Sequence, residues 1–180
     1  MTEQRRRLVE RIIDPAYLEG LADRSLEDLR AMRDECREGE TELSFERRLC
    51  QARVDILSAE LERREGTGDS DLLERLPEIL ATEARPAGDS PLPDRAPDFS
   101  VPRSADMPRR RVEEIVGEQT LGRLTEMSME EIRDIISSLA EHEGQVSAHR
   151  KRVQEVVDEI QEEIVRRYVS GQADPTGALK

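Results

Sequence analysis

The sequence predicts an all-α fold: a long antiparallel coiled-coil helical hairpin made by internal duplication, with a short N-terminal helical arm and a long Pro-rich linker. Three observations lead there. Apolar residues recur at every seventh position in two separate stretches, as paired helices require. A pattern of five polar residues occurs twice at one fixed offset. Only 36% of the 180 residues are hydrophobic and 2% aromatic, too little for a thick globular core.

In chain order, residues 1–24 read as an N-terminal helical arm. Leu8, Ile12 and Ile13 give residues 3–13 a helical apolar pattern, and Asp14 with Pro15 supplies a cap and first position for a short second helix through Leu21. Residues 25–64 form the first coiled-coil helix. Ser25 and Asp28 open it, Gly66 and Gly68 follow its end, and from Leu26 to about Arg64 it spans about 58 Å. Leu29, Cys36, Leu43, Cys50 and Leu57 make its seven-residue row, with Val54 and Leu61 beside it. Phe45, Leu49, Ala52, Ile56 and Ala59 form a second stripe on another side, more apolar surface than one neighbour covers. Cys36 and Cys50 lie about 21 Å apart along this axis, so they read as reduced core residues and not as a disulfide.

Residues 65–127 read as a linker with short helices: one from Asp71 to about Arg85 bent by Pro77, then a run of prolines from Pro86 to Pro108, then a helix from about Arg109 to Gly117. Residues 128–168 form the second coiled-coil helix, opened by the capping box Ser128 and Glu131. Its row is Ile132, Leu139, Val146, Val153 and Ile160. Residues 169–180 read as a disordered tail.

The repeated pattern is E-x3-S-x2-R-x3-Q-x3-D. It reads Glu40, Ser44, Arg47, Gln51, Asp55 and again Glu143, Ser147, Arg150, Gln154, Asp158. Steps of four, three, four and four residues keep each quintet on one helix face. The offset is 103 residues, and with Leu21–Arg64 laid on Leu124–Arg167, 14 of 44 pairs are identical. With the apolar row as heptad position a, Glu40, Arg47, Glu143 and Arg150 fall at e, and Ser44, Gln51, Ser147 and Gln154 at b. Antiparallel pairing sets e against e, so both quintets would line one groove. Two registers remain open. If Arg47 faces Glu143 and Glu40 faces Arg150, the charges are satisfied internally. If Arg47 faces Arg150, two guanidinium groups want an anion between them.

The plain alternative is a solvated coiled-coil flank whose ion pairs are worth about 1 kcal/mol or less each. Ser and Gln at b gain nothing from such pairing, and the five types recur together. Arg binds guanine O6 and N7, Asp accepts from guanine N1-H and N2-H2, and Ser, Gln and Glu add further hydrogen bonds.

The doubled quintet on two long helices resembles the RsiG family of actinobacterial anti-sigma factors. The resemblance implies that an antiparallel coiled coil holds a dimer of cyclic di-GMP across the two motifs. The loaded protein then keeps a WhiG-class sigma factor from RNA polymerase and represses its sporulation genes. All ten quintet residues would be ligand-binding residues. Neither motif departs from the family pattern. The second stripe and the arm are left as surfaces for the sigma factor or for one another.

A net charge of -13 argues against direct DNA binding and suits a basic protein partner. No run approaches the roughly 20 apolar residues of a membrane span, and Arg5, Arg6 and Arg7 precede no apolar leader, so a cytoplasmic location is expected. An enzyme is not expected. His142 and His149 sit seven apart at d, as partly buried coiled-coil residues, with no metal-ligand spacing and no Gly-rich loop. The competing reading is a ligand-free coiled-coil scaffold or a polymerase-binding protein.

Overall fold

The computed structural model describes residues 2–66, 102 and 105–171. The expected helix Asp71–Arg85, most of the Pro-rich linker, and the tail beyond Gly171 lie outside them. Among the described residues every element is helical: α1 (Thr2–Ile13), 3-10 turns Pro15–Leu18 and Leu21–Asp23, α2 (Leu26–Glu65), α3 (Asp106–Ile115), α4 (Glu118–Gly122), a 3-10 turn Leu124–Glu126 and α5 (Met129–Val169). No helix of the described residues is long and apolar enough to cross a membrane.

The duplication extends further than the sequence comparison placed it. The turn Pro15–Leu18 and α4, the turns Leu21–Asp23 and Leu124–Glu126, and α2 and α5 each begin 103 residues apart, and α1 and α3 begin within one residue of that offset. Arg6, Arg7, Val9, Glu10, Ile12 and Leu18 recur as Arg109, Arg110, Val112, Glu113, Ile115 and Leu121. The arm is therefore the first repeat's copy of α3. Its expected second helix is instead two 3-10 turns, because Gly20 between them takes a left-handed φ of 66°. Asp14 does cap the first, accepting from Ala16 N at 2.9 Å. Helix α3 starts earlier than the prolines suggested, since Pro108 falls in its first turn, where no backbone donor is needed.

Both long helices open on a capping box. Asp28 N donates to Ser25 Oγ at 3.0 Å, and Glu131 N to Ser128 Oγ at 3.2 Å. The hydrogen bonds that Asp28 and Glu131 accept from those serines hold both carboxyls below their ordinary values. After α2, Gly66 takes a φ of 69°, the left-handed stop of a C-terminal cap.

The contacts divide the chain into two compact units, residues 1–43 with 148–180, and residues 44–147. In the first unit α2 and α5 run antiparallel: Arg30 donates to the Tyr168 hydroxyl, and Arg33 to Gln161 Oε1 at 3.5 Å. Leu29, Cys36 and Leu43 of α2 are buried there, as are Val153 and Ile160 of α5. Helix α1 packs on α2 at Gly39, where an added Cβ would meet Ile12 Cδ1 at 3.2 Å. Its Arg11 pairs with Glu35 at 2.8 Å, and Tyr17 donates to the same carboxylate at 3.0 Å. Burial pushes the neighbouring Cys36 thiol up to about 11, so it is an unreactive core thiol.

In the second unit the antiparallel pair recurs, with Arg133 bound to Glu65 at 2.7 Å. Arg30 and Tyr168 are the equivalents of Arg133 and Glu65 at the 103-residue offset. Cys50, Leu57, Ile132 and Leu139 form a core that α3 completes with Val112 and Val116. Leu49 and Ile56 of the second stripe pack against it and Ala59 is buried, so that part of the stripe is covered within the chain. Burial raises the Cys50 thiol to about 12.

One device closes each unit. In the second, Arg64 donates to the carbonyls of Leu124, at 2.6 Å, and Met127, while Glu60 receives Arg63 and Arg64 at 2.8 and 2.7 Å. In the first, Arg167 donates to the carbonyls of Leu21, at 3.0 Å, Ala22 and Arg24, and Glu163 receives Arg166 and Arg167 at 2.8 Å. The hydrogen bonds from Arg63 and Arg64 hold the Glu60 carboxyl down at about 2. Its folded value lies below the ordinary 4.5, so its stabilisation is present above 4.5 and is lost as pH falls toward 2. Arg64→Ala should release amide protection of residues 124–127, and Arg167→Ala that of residues 21–24, each in its own unit, as read by hydrogen exchange.

Candidate functional site

The second unit holds Ser44, Arg47, Gln51 and Asp55 on α2 with Glu143 and Ser147 on α5. Glu143 Oε1 is the meeting point. It accepts from Ser147 Oγ at 2.9 Å, lies 3.5 Å from Gln51 Nε2 and is 3.8 Å from an Arg47 terminal nitrogen. The last distance is an ion pair without a hydrogen bond. Arg47 Nε is buried and has no acceptor among the described residues. Ser44 is half-buried one turn before Arg47. Asp55 is also half-buried, and burial raises its carboxyl above the ordinary 3.8.

The first unit holds Glu40 on α2 with Arg150, Gln154 and Asp158 on α5. Gln154 Nε2 donates to Glu40 Oε1 at 2.6 Å. At the 103-residue offset this is the contact between Gln51 and Glu143, so each unit repeats one cross-helix Glu–Gln pair. Arg150 is half-buried and makes no hydrogen bond or ion pair among the described residues. Asp158 is exposed.

Within each unit, then, residues of one quintet meet residues of the other, as antiparallel helices require. The pairing follows the first of the two registers in part: Arg47 faces Glu143 as an ion pair at 3.8 Å. In addition, the Gln of one quintet approaches the Glu of the other in each unit. A seven-residue row establishes which flank the quintet occupies, but not whether Gln or Arg wins the shared carboxylate.

The other flank of the seam holds a group that the spacing did not reveal. Glu46, fully buried, accepts from Arg111 of α3 and from His142 Nε2, both at 2.8 Å. A buried carboxylate persists only with such partners. His142 is therefore partly buried, as expected, and its role is to hold Glu46. His149 is exposed, against expectation. The a row is buried throughout, whereas d residues of the same helix vary, Val156 being buried and His149 exposed.

Chemically, the quintet flank offers an arginine with unused donors and a desolvated carboxylate beside neutral hydrogen-bonding groups. Among the described residues no group of His, Cys, Asp or Glu could hold a metal ion. Asp55 is a stability cost: its raised folded value means that stability is highest below 3.8 and falls as pH rises through that folded value. Asp55→Asn should therefore raise the melting temperature at pH 7, and the gain should vanish once the medium is acidified below the ordinary aspartate range.

A search of curated proteins finds no match to the chain. A family described as RsiG-like matches residues 15–80 and 118–179, two segments that themselves begin 103 residues apart. They cover most of the chain and all ten quintet residues, and the chain belongs to the RsiG-like family.

Proposed function

We propose that the chain is an anti-sigma factor that binds cyclic di-GMP through its two quintets and, so loaded, sequesters a WhiG-class sigma factor from RNA polymerase. On this reading it is a regulator and not an enzyme, and it represses sporulation genes. Family membership supports the anti-sigma role. The observation that carries the ligand is the state of the quintet arginines: Arg47 keeps a buried Nε without an acceptor, and Arg150 makes no bond among the described residues.

Those donors match the acceptor edge of guanine and the phosphates of a cyclic dinucleotide. Asp55 and Asp158 would accept from guanine N1-H and N2-H2. The pairs Gln51 with Glu143 and Gln154 with Glu40 then act as internal stand-ins, occupying the carboxylates until a ligand arrives. A passive scaffold has no use for a buried arginine donor without an acceptor on such a flank.

Titration of the full chain, alone and with the sigma factor, should release heat with cyclic di-GMP. Arg47→Ala and Arg150→Ala should each weaken binding at least a hundredfold while helicity by circular dichroism stays unchanged. Asp55→Ala and Asp158→Ala should lose the preference for cyclic di-GMP over cyclic di-AMP. Normal binding by either arginine variant would refute the assignment.

A further inference from the structure

The two repeats differ in character on one side of the long helix. In α2 that side reads Ala52, Ile56, Ala59 and Glu62, and at the 103-residue offset α5 reads Glu155, Glu159, Glu162 and Val165. Ala52 and Ile56 are half-buried and Ala59 is buried in the second unit. Glu155, Glu159 and Glu162 are exposed in the first. The acidic row runs into Val165, 48% exposed, and Val169, 84% exposed, the exposed large hydrophobic residues among those described. Steps of four, three, three and four residues keep all five on one face. A shallow open groove runs along its end, lined by Gln161, Glu162, Val165, Arg166, Val169 and Ser170.

The fold does not require those valines. The clasp that Glu163, Arg166 and Arg167 make around them is made equally by Glu60, Arg63 and Arg64, with Glu62 and Gly66 in the equivalent places. Exposed β-branched residues near a helix end lower helix propensity and bury nothing there. The acidic residues are similarly unspent. Glu155 has a surface pair with Arg152 at 3.0 Å, and Glu159 and Glu162 make no bond among the described residues.

We propose that this face of α5, Glu155, Glu159, Glu162, Val165 and Val169, is a docking surface for an amphipathic helix of the protein partner. That helix carries basic residues at three- and four-residue spacing and an apolar end that covers the valines. Charge complementarity selects it: the face is acidic and the chain's net charge is -13, which steers a basic helix in and repels nucleic acid and anionic lipid. The valines supply the desolvated anchor, and the glutamates set orientation and association rate. The assignment rests on the reading of the chain as a regulator that holds a sigma factor, and it names the surface that does so.

The test is the affinity of the full chain for purified WhiG-class sigma factor with cyclic di-GMP present, for wild type, V165D/V169D and E155K/E159K/E162K. Both variants should bind the sigma factor at least tenfold more weakly, the lysine variant through slower association with less salt dependence. Both should keep wild-type cyclic di-GMP binding and helicity, since none of the five residues belongs to a quintet. If the wild type holds the sigma factor and both variants hold it as tightly, the anti-sigma reading stands and this surface is wrong. If the wild type does not hold it, that reading fails and takes the surface with it. A dimer by sedimentation that V165D/V169D dissolves would make a second copy the occupant. New dye binding on deleting residues 172–180 would make it the chain's own tail. Either result overturns the proposal.

Discussion

The structure depends on an antiparallel seam whose a rows repeat every seven residues on both long helices, with Val54, Leu61, Val157 and Ile164 packed beside them. The a rows by themselves are permissive: sliding one helix by seven residues would return an apolar residue to each a position. Yet such a slide would separate Glu40 from Gln154 and Gln51 from Glu143. Register must therefore be held by something other than the a rows. The end clasps do this, because Arg64 and Arg167 reach carbonyls of particular 3-10 turns that no shifted helix would present. Glu46 adds a second lock, since a slide would strand a fully buried carboxylate away from His142 and Arg111. Buried ionic groups contribute little net stability, and setting register is the use best attested for them.

Much of this was legible in the residues. The a rows read as buried and are buried, because a seven-residue period on a helix admits one face only. The capping boxes were readable because they are local chemistry. The extent of the repeat was harder to see. Between residues 3–20 and 106–123 six of 18 pairs are identical, as dense as in the longer comparison, but Pro108 reads as a helix breaker until its first-turn position is known. The clasp was hidden for a different reason: Glu60, Arg63 and Arg64 recur as Glu163, Arg166 and Arg167 in the sequence, but a helix-end Glu-Arg-Arg run reads as ordinary dipole complement. Its carbonyl partners are backbone atoms, which leave no residue signature. The Glu–Gln pairing within the quintets was likewise beyond a helical wheel, which gives direction but not side-chain reach.

Residue identity also concealed how unequal the two repeats are. Gly39 receives Ile12 in a close apolar approach, whereas its equivalent, His142, joins a buried charged cluster. The same inequality reaches the candidate site. Asp55 is half-buried with a raised carboxyl, while Asp158, identical in type and motif position, is exposed. A buried donor without an acceptor costs about 1–3 kcal/mol. For Arg47 Nε the lower end applies, because the rest of that side chain is 32% exposed. Those costs fall on the second unit. A ligand that gives Arg47 an acceptor and Asp55 a donor recovers them there, whereas the exposed Asp158 carries no such desolvation cost to recover. On the proposed reading the quintets, though matched in sequence, would divide the binding energy unevenly, with the desolvated half supplying more of it.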